Sequence, residues 1–203
     1  MAVSSQTVNV SGDLDSIGGQ HRYCITALDA RTGKATAWDA HADGLVRELV
    51  ASCATVYAIL GDAIPISIGR QTRSGIAALD ARTGKANAWD PKPGKDVFTL
   101  AKSGQTVYVA GYFDSVGGQA RHGIAALDAR GGNAAAWNPR PKTPRALPTT
   151  YPPWRYQDRP MYVGSEFTSI GGQPRNGIAA VNARTGKRRL GTPHRANTPT
   201  PTP

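Results

Sequence analysis

The 203-residue chain is poor in cysteine, methionine and phenylalanine and has no long apolar run. It contains two cysteines, two methionines and three phenylalanines, against 23 glycines and 15 prolines. So few cysteines, with no CxxC or Cys/His spacing, exclude a disulfide scaffold and a zinc module. No stretch approaches the roughly 20 apolar residues of a membrane helix. Residues 1–12 lack the basic and apolar regions of a signal peptide, and we expect the chain to start inside a strand.

Acidic residues are scarce in two segments only, which changes what the formal net charge of +10 means. Segment 140–160 holds five basic residues and one acid, and segment 184–203 holds five basic residues and no acid. The rest of the chain carries 14 basic and 13 acidic residues. The repeated part is therefore nearly neutral, and this distribution argues against a general nucleic-acid-binding surface.

The dominant feature of the chain is a sequence motif that is repeated four times. RYCITALDARTGKATAWDA (22–40), GIAALDARTGKANAWDP (75–91), GIAALDARGGNAAAWNP (123–139) and GIAAVNARTGKRRLGTP (177–193) align without difficulty. The equivalent residues Asp29, Asp80, Asp128 and Asn182 are separated by steps of 51, 48 and 54 residues. Four units of about 50 residues therefore fill the chain.

Each unit predicts four short strands. In the third unit we expect strands over 97–103, 105–113, 123–129 and 133–139, separated by Ser-Gly, Gly-Gly and Arg-Gly-Gly turns and stopped by proline. Short glycine-containing turns with β-branched flanks are typical of antiparallel hairpins. Four antiparallel strands per repeat of this length predict an all-β fold, a β-propeller of about four blades, with blades one and four incomplete and the ring open.

Two resemblances follow from the repeat. Residues 107–130 and 161–186 resemble the bacterial extracellular β-propeller repeat, written V-Y-V-G-G-x-F, then G-G-x-x-R-x-x-I-A-A-L-D, then T-G and W-N-P. That resemblance implies a secreted or surface protein with a scaffold or binding role and no catalysis. Residues 27–38 and 78–89 are similar to the tryptophan-docking motif of quinoprotein propellers, with one extra residue before the tryptophan. In that family the motif is structural, and pyrroloquinoline quinone would require a full ring, calcium and polar ligands.

The repeat breaks down in two places and thereby sets the domain boundaries. We expect blades one to three over 1–139, a Pro/Arg-rich irregular segment over 140–160, a partial fourth blade over 161–186 and a disordered basic tail over 187–203. The irregular segment stands where the first strand of unit four is expected, and the tail stands where the fourth strand of that unit is expected. Both segments fit either a frame-shifted stretch of a GC-rich gene or a genuine basic linker and tail. Unit two departs more mildly, and Pro65 is expected to bend its loop.

Three sets of recurring side chains are predicted to be structural. The tryptophans should cover the seam between neighbouring blades, the strand-end aspartates should cap the following turn, and the arginines after the Gly-rich loop should anchor loops or pair blades. These residues are Trp38, Trp89 and Trp137; Asp29, Asp80 and Asp128; and Arg22, Arg73, Arg121 and Arg175.

No residue stands out as catalytic, cofactor-binding or metal-binding. Cys24 and Cys53 occupy positions where sister units have glycine, so they are interpreted as separate replacements, although a bridge between them stays open. Histidines 21, 41, 122 and 194 are expected at the surface. Loop aspartates 13, 15, 62 and 114 are interpreted as turn formers, with calcium binding as the alternative.

The resulting functional hypothesis is a non-enzymatic interaction or structural module, a fragment of a longer repeat protein. It would be extracellular or at the cell surface, with an unknown protein or glycan as ligand at the loop-lined end of the central channel, no membrane span and open blade edges that allow oligomers. Three alternatives remain, of which the first two are a quinoprotein-like dehydrogenase fragment and nucleic-acid or anionic-surface binding through the basic segments. A degraded gene without function is the third.

Overall fold

The structure is a computed structural model that describes residues 1–3, 6–61, 64–142, 161–164, 167–183 and 185–187. Throughout these ranges the regular structure is strand, with no helix. The expectation of an all-β fold is therefore confirmed for the described part of the chain. No helix there is long and apolar enough to cross a membrane.

Nineteen strands follow one another along the described residues, in four similar groups. They are β1 (Ala2–Val3), β2 (Thr7–Ser11), β3 (Ser16–Ile17), β4 (Gln20–His21), β5 (Ile25–Asp29), β6 (Val46–Ser52), β7 (Thr55–Leu60), β8 (Ile66–Ile68), β9 (Gln71–Arg73), β10 (Ile76–Asp80), β11 (Val97–Ser103), β12 (Thr106–Gly111), β13 (Ser115–Val116), β14 (Gln119–Ala120), β15 (Ile124–Asp128), β16 (Met161–Gly164), β17 (Ser169–Ile170), β18 (Gln173–Pro174) and β19 (Ile178–Val181). We refer to residues 1–41, 46–92, 97–142 and 161–187 as units one to four.

Each unit is built on one antiparallel sheet. The sheets are ordered β1-β2-β5, β6-β7-β10, β11-β12-β15 and β16-β19, so three have three strands and the fourth has two among the described residues. The pairing register repeats: Thr7 faces Asp29 in unit one, and Thr106 faces Asp128 in unit three. The 48- to 54-residue period in the sequence is thus a period in three dimensions.

The Gly-rich loop of every unit forms a small hairpin that the sequence did not reveal. Strands β3-β4, β8-β9, β13-β14 and β17-β18 pair two by two, across Gly-Gly or Gly-Arg turns. Gly117 and Gly118 at the turn of unit three have φ values of 61° and 75°, which glycine adopts at no steric cost. Arg70 takes the second of these positions in unit two with φ 67°.

The predicted fourth strand is wrong in units one to three. In place of a strand over 133–139, the structure has a single bridge between Leu127 and Ala134, and equivalent bridges join Leu28 to Ala35 and Leu79 to Ala86. One further backbone bond follows, from Ala135 N–H to the Ala126 carbonyl, before the chain leaves the sheet. The chain departs because the tryptophan and the residue two positions after it contact the next unit, as described below.

Hydrophobic clusters lie between consecutive units, not within single sheets. Side chains alternate along each middle strand, so Val107 and Val109 join a cluster with unit two while Tyr108 joins a cluster with unit four. Both faces of the sheets in units two and three are covered by neighbouring units. The middle strands β7 and β12 are therefore apolar at nearly every position. Stacking of the units therefore supplies the core that a single three-stranded sheet lacks.

Several expectations lie outside the described residues. These are the first strand of unit four and most of the irregular segment at 140–160, the tail beyond residue 187, Asp62, and His194. The described residues around the unit-two loop include Pro65, which directly precedes β8 in a hairpin whose strands are three residues long.

Candidate functional site

The tryptophans tie each unit to the next one. The indole Nε1–H of Trp38 donates to the carbonyl of Asp80 at 3.0 Å, that of Trp89 to Asp128 at 2.8 Å, and that of Trp137 to Asn182 at 2.9 Å. All three rings are buried, with exposures of 4%, 1% and 4%. The prediction that they cover the seams between neighbouring units is confirmed.

Aromatic contacts stiffen two of these junctions. Trp89 meets Tyr57 edge to face with 5.2 Å between ring centroids, and Trp137 meets Tyr108 in the same way at 5.3 Å. Such pairs add to the burial of the rings themselves. In unit one the place of these tyrosines is taken by Asn9, which is 4% exposed. The Trp38 junction is therefore the one without an aromatic pair.

A second backbone link joins each pair of units. The N–H groups of Gly69, Gly117 and Gly171, at the loop-hairpin turns, donate to the carbonyls of Ala40, Pro91 and Pro139 at 2.5, 2.7 and 2.7 Å. Each acceptor lies two residues after a tryptophan. The segment that carries the tryptophan is thus held at both ends by the following unit, and this is the contact that removes it from its own sheet.

The turn glycines of the Arg-Thr-Gly-Lys type are part of the same junction. A Cβ on Gly84 would lie 2.6 Å from the Asp39 carbonyl oxygen, and a Cβ on Gly132 would lie 3.3 Å from Pro91 N. Both glycines have positive φ, 73° and 76°. Glycine is therefore required for its backbone angle and also because the preceding unit lies against it.

The strand-end aspartates cap their turns as predicted. Asp80 Oδ1 accepts bonds from Arg82 N at 3.1 Å, from Thr83 N at 2.7 Å and from Thr83 Oγ1 at 2.8 Å. Asp29 and Asp128 make the equivalent backbone bonds. The hydrogen bonds from the Thr83 hydroxyl and amide lower the pKa of Asp80.

The recurring arginines anchor loops inside their own units. Arg73 donates to the Asn87 carbonyl at 2.8 Å and to Gln71 Oε1 at 2.6 Å, and Arg121 donates to the Ala135 carbonyl at 2.7 Å. Both are buried. Arg22 and Arg175 also donate to backbone carbonyls of their own units. Of the two predicted roles, loop anchoring is therefore confirmed, and the inter-unit pair is not observed among these bonds.

The two cysteines are free and replace glycines, as the alignment indicated. Cys24 has φ 59° where Gly75, Gly123 and Gly177 have 68°, 69° and 76°, and Cys53 has φ 48° where Gly104 has 53°. The bridge that the sequence left open is absent. Burial raises the pKa of the Cys24 thiol, so this partly covered group favours the protonated form at neutral pH.

The remaining candidate residues lie at the surface, where only His122 and Asp114 approach each other among those described, at 3.6 Å. Histidines 21, 41 and 122 are exposed, as are aspartates 13, 15 and 114. Asp114 pairs with Lys95 at 3.2 Å, and the hydrogen bond from that ammonium lowers the pKa of Asp114. Within the described ranges no three His, Cys, Asp or Glu side chains are grouped as a metal site would need.

One half-buried carboxyl could not be predicted from the sequence, because a carboxylate does not recur at its position. Glu48 lies on the first strand of unit two and is hydrogen-bonded to Thr99 on the first strand of unit three. Burial raises the pKa of Glu48. Only the three-dimensional proximity of the first strands β6 and β11 reveals this contact.

Comparisons of the chain with protein-family models, with curated proteins and with solved structures find no match.

Proposed function

We propose that the four units are blades of a β-propeller and that the protein is a non-enzymatic interaction or structural module. The observation that carries the proposal is the tryptophan junction, repeated three times between consecutive units. A repeat whose strongest recurring feature joins one unit to the next supports a role in building an extended surface.

The hydrogen bonds made by the other recurring side chains support the same proposal. The aspartates are used in turn caps and the arginines in loop anchors, so the positions that recur in every unit are occupied by intramolecular bonds. The loop hairpin of unit two differs from the other three, because its strands are three residues long and its turn is Gly-Arg. Loops that differ on a repeated scaffold are the places where a ligand is recognised.

Placement in a secreted or surface protein is part of the proposal and rests on the resemblance of residues 107–130 and 161–186. The partner we propose is a protein or glycan bound through the loops. The likeness of residues 78–89 to quinoprotein repeats has a mechanical explanation, because Trp89 and Asp80 in that stretch serve junctions and turns.

A binding screen and a cofactor titration test the proposal together. The full chain is applied to a glycan array and to immobilised matrix proteins at 0.15 M NaCl, and separately titrated with pyrroloquinoline quinone and Ca²⁺ under an absorbance scan. Saturable binding to a glycan or protein, with no change in the quinone spectrum, supports the module. A saturable quinone shift that depends on Ca²⁺ contradicts it and favours the dehydrogenase. Binding that disappears with rising salt favours an anionic ligand.

A further inference from the structure

We propose that the outward side of unit one is a docking site for a tryptophan-bearing segment of another repeat unit, of the type Ala-x-Ala-Trp-(Asp/Asn)-Pro. This side, the unit-one face, consists of Gly18, Leu28, Asp29 and Gly33. It corresponds, position by position, to the sides of units two, three and four that receive Trp38, Trp89 and Trp137. The inference rests on the geometry of these three junctions and is independent of the ligand proposed above.

The first observation concerns the carbonyl that accepts the indole. The carbonyls of Asp80, Asp128 and Asn182 each accept two bonds, one from the turn glycine four residues later and one from a tryptophan of the preceding unit. The carbonyl of Asp29 accepts the equivalent glycine bond, from Gly33 at 2.9 Å. Among the described residues no indole reaches it, so this part of the chain leaves the second acceptor position unfilled.

The second observation concerns the N–H group that holds the other end of the segment. In units two to four the loop-turn glycine donates to a carbonyl two residues beyond the tryptophan. Gly18 is the equivalent glycine of unit one, with the same φ of 61° as Gly117. Its carbonyl accepts the usual bond from Ala35, whereas no acceptor for its N–H lies in the described part of the chain.

The third observation is burial. Leu79, Leu127 and Val181 are completely buried at 0%, while Leu28 is only half-buried at the same position. Gly84, Gly132 and Gly186 are buried with backbone atoms of the preceding unit close to where a Cβ would be. Gly33 is exposed, and a Cβ added there meets nothing within 4 Å. Donor, acceptor and apolar surface are thus all present and uncovered together.

The occupant is specified by what the equivalent sides bind. Each receives an indole on its carbonyl and a main-chain carbonyl on its glycine N–H, and a segment of another repeat unit offers both at the required spacing. Unit four of a second copy of this chain does not offer such a segment, because residues 187–203 contain no tryptophan. Trp38, Trp89 and Trp137 are already docked within the chain, and Trp154, the fourth tryptophan of the sequence, lies outside the described residues.

A grafted segment provides the test. Ala2 pairs with Asn9 as Ala101 pairs with Tyr108, so residues 86–100 (ANAWDPKPGKDVFTL) can be placed directly before Ala2, behind a new initiator methionine, in the correct register. The graft carries the docking segment and completes the first strand of unit one. A second graft, identical except that its copy of Trp89 is alanine, still completes the strand. The difference between the two grafts therefore isolates the docking.

Two substitutions in the grafted chain locate the site. Asn tolerates positive φ, so Gly33→Asn (φ 69°) should leave the turn intact while its side chain blocks the incoming segment. Gly104→Asn is the matched control, because Gly104 also has positive φ (53°) and open space around a Cβ, yet lies in the hairpin turn between β11 and β12. Circular dichroism checks that both variants fold.

The measurements are amide hydrogen exchange at Gly18 and the thermal midpoint. We expect the tryptophan graft to slow exchange of the Gly18 N–H by about tenfold relative to the alanine graft, the effect of one new hydrogen bond. It should also raise the midpoint, and Gly33→Asn should remove both effects while Gly104→Asn retains them. Equal exchange and equal midpoints in the two grafts would overturn the proposal, as would docking that is insensitive to Gly33→Asn. Neither outcome bears on glycan or quinone binding.

Discussion

Replacing Trp89 by leucine should be among the most damaging single changes in this protein. The substitution removes the indole bond to Asp128, the edge-to-face contact with Tyr57 and the ring atoms of a side chain that is 1% exposed. The hydrogen bond contributes about 1 kcal/mol net, the aromatic pair about 1 kcal/mol, and the lost volume about 1–2 kcal/mol. We expect the free energy of unfolding to fall by about 3–4 kcal/mol.

Two companion variants divide this loss into its parts. Trp89→Phe keeps an aromatic ring and loses the indole N–H, and the Asp128 carbonyl keeps its bond from Gly132. Its cost should therefore be about 2 kcal/mol, since no buried acceptor is left without a partner. Trp38→Leu removes the equivalent bond at a junction without an aromatic pair, and should cost about 1 kcal/mol less than Trp89→Leu.

The assay is urea unfolding followed by far-UV circular dichroism and by fluorescence of the remaining tryptophans. Coincident transitions are needed before a free energy is extracted, because arrays of repeats can lose cooperativity when one junction is weakened. A split into two transitions in Trp89→Leu would itself indicate that the junction couples units two and three.

The junction interpretation fails if Trp89→Leu costs less than about 1 kcal/mol with an unchanged slope. It also fails in part if Trp89→Phe is as stable as the wild type, because the indole bond would then contribute nothing. Equal costs for Trp38→Leu and Trp89→Leu would leave the junction in place and refute the contribution of the Tyr57 pair.

Three further predictions concern single residues. Cys24→Gly should raise the free energy of unfolding by about 1 kcal/mol by relieving positive φ, whereas Cys24→Ala should not; both are measured by urea unfolding. Bonds from the Gly131 and Arg130 amides lower the pKa of Asp128, so its stabilisation is present above the unfolded pKa of about 3.9 and is lost as pH falls through the lower folded pKa. Asp128→Asn should keep the cap, as Asn182 does in unit four, and flatten the acid limb of a stability–pH curve. Thr26 Oγ1 is buried without a hydrogen-bond partner in the described part of the chain, so Thr26→Val should raise the thermal midpoint, corresponding to about 1 kcal/mol.

Features that depend on recurrence could be predicted from the sequence. The period shows which residues are equivalent, and this equivalence predicted the Asp80 turn cap, the seam position of Trp89 and the replacement of a glycine by Cys24. Each of these is a local arrangement or a consequence of stacking similar sheets. All-β character followed from the turn residues and the β-branched strands.

The fate of residues 133–139 could not be predicted, because it depends on competition between two partners. Read alone, the alternation around Ala134 and Trp137 favours a fourth strand. In the structure the next unit offers Trp137 a carbonyl at Asn182 and offers Pro139 an N–H at Gly171. The alternation of apolar residues within one unit carries no information about contacts with the next unit. A strand was therefore predicted where the structure forms a junction between units.

The junction is directional, and this decides how the array can be extended. Units one to three each donate a tryptophan to the unit that follows, and units two to four each present a carbonyl and a glycine N–H to the unit before. Unit one can therefore only receive, through Asp29 and Gly18, and the described residues do not fill that position. Unit four receives Trp137, and at the position equivalent to Trp137, nine residues after Asn182, the sequence has Gly191. Additional units of the same kind can consequently join at the unit-one end by the existing chemistry, whereas joining at the unit-four end would require a different contact.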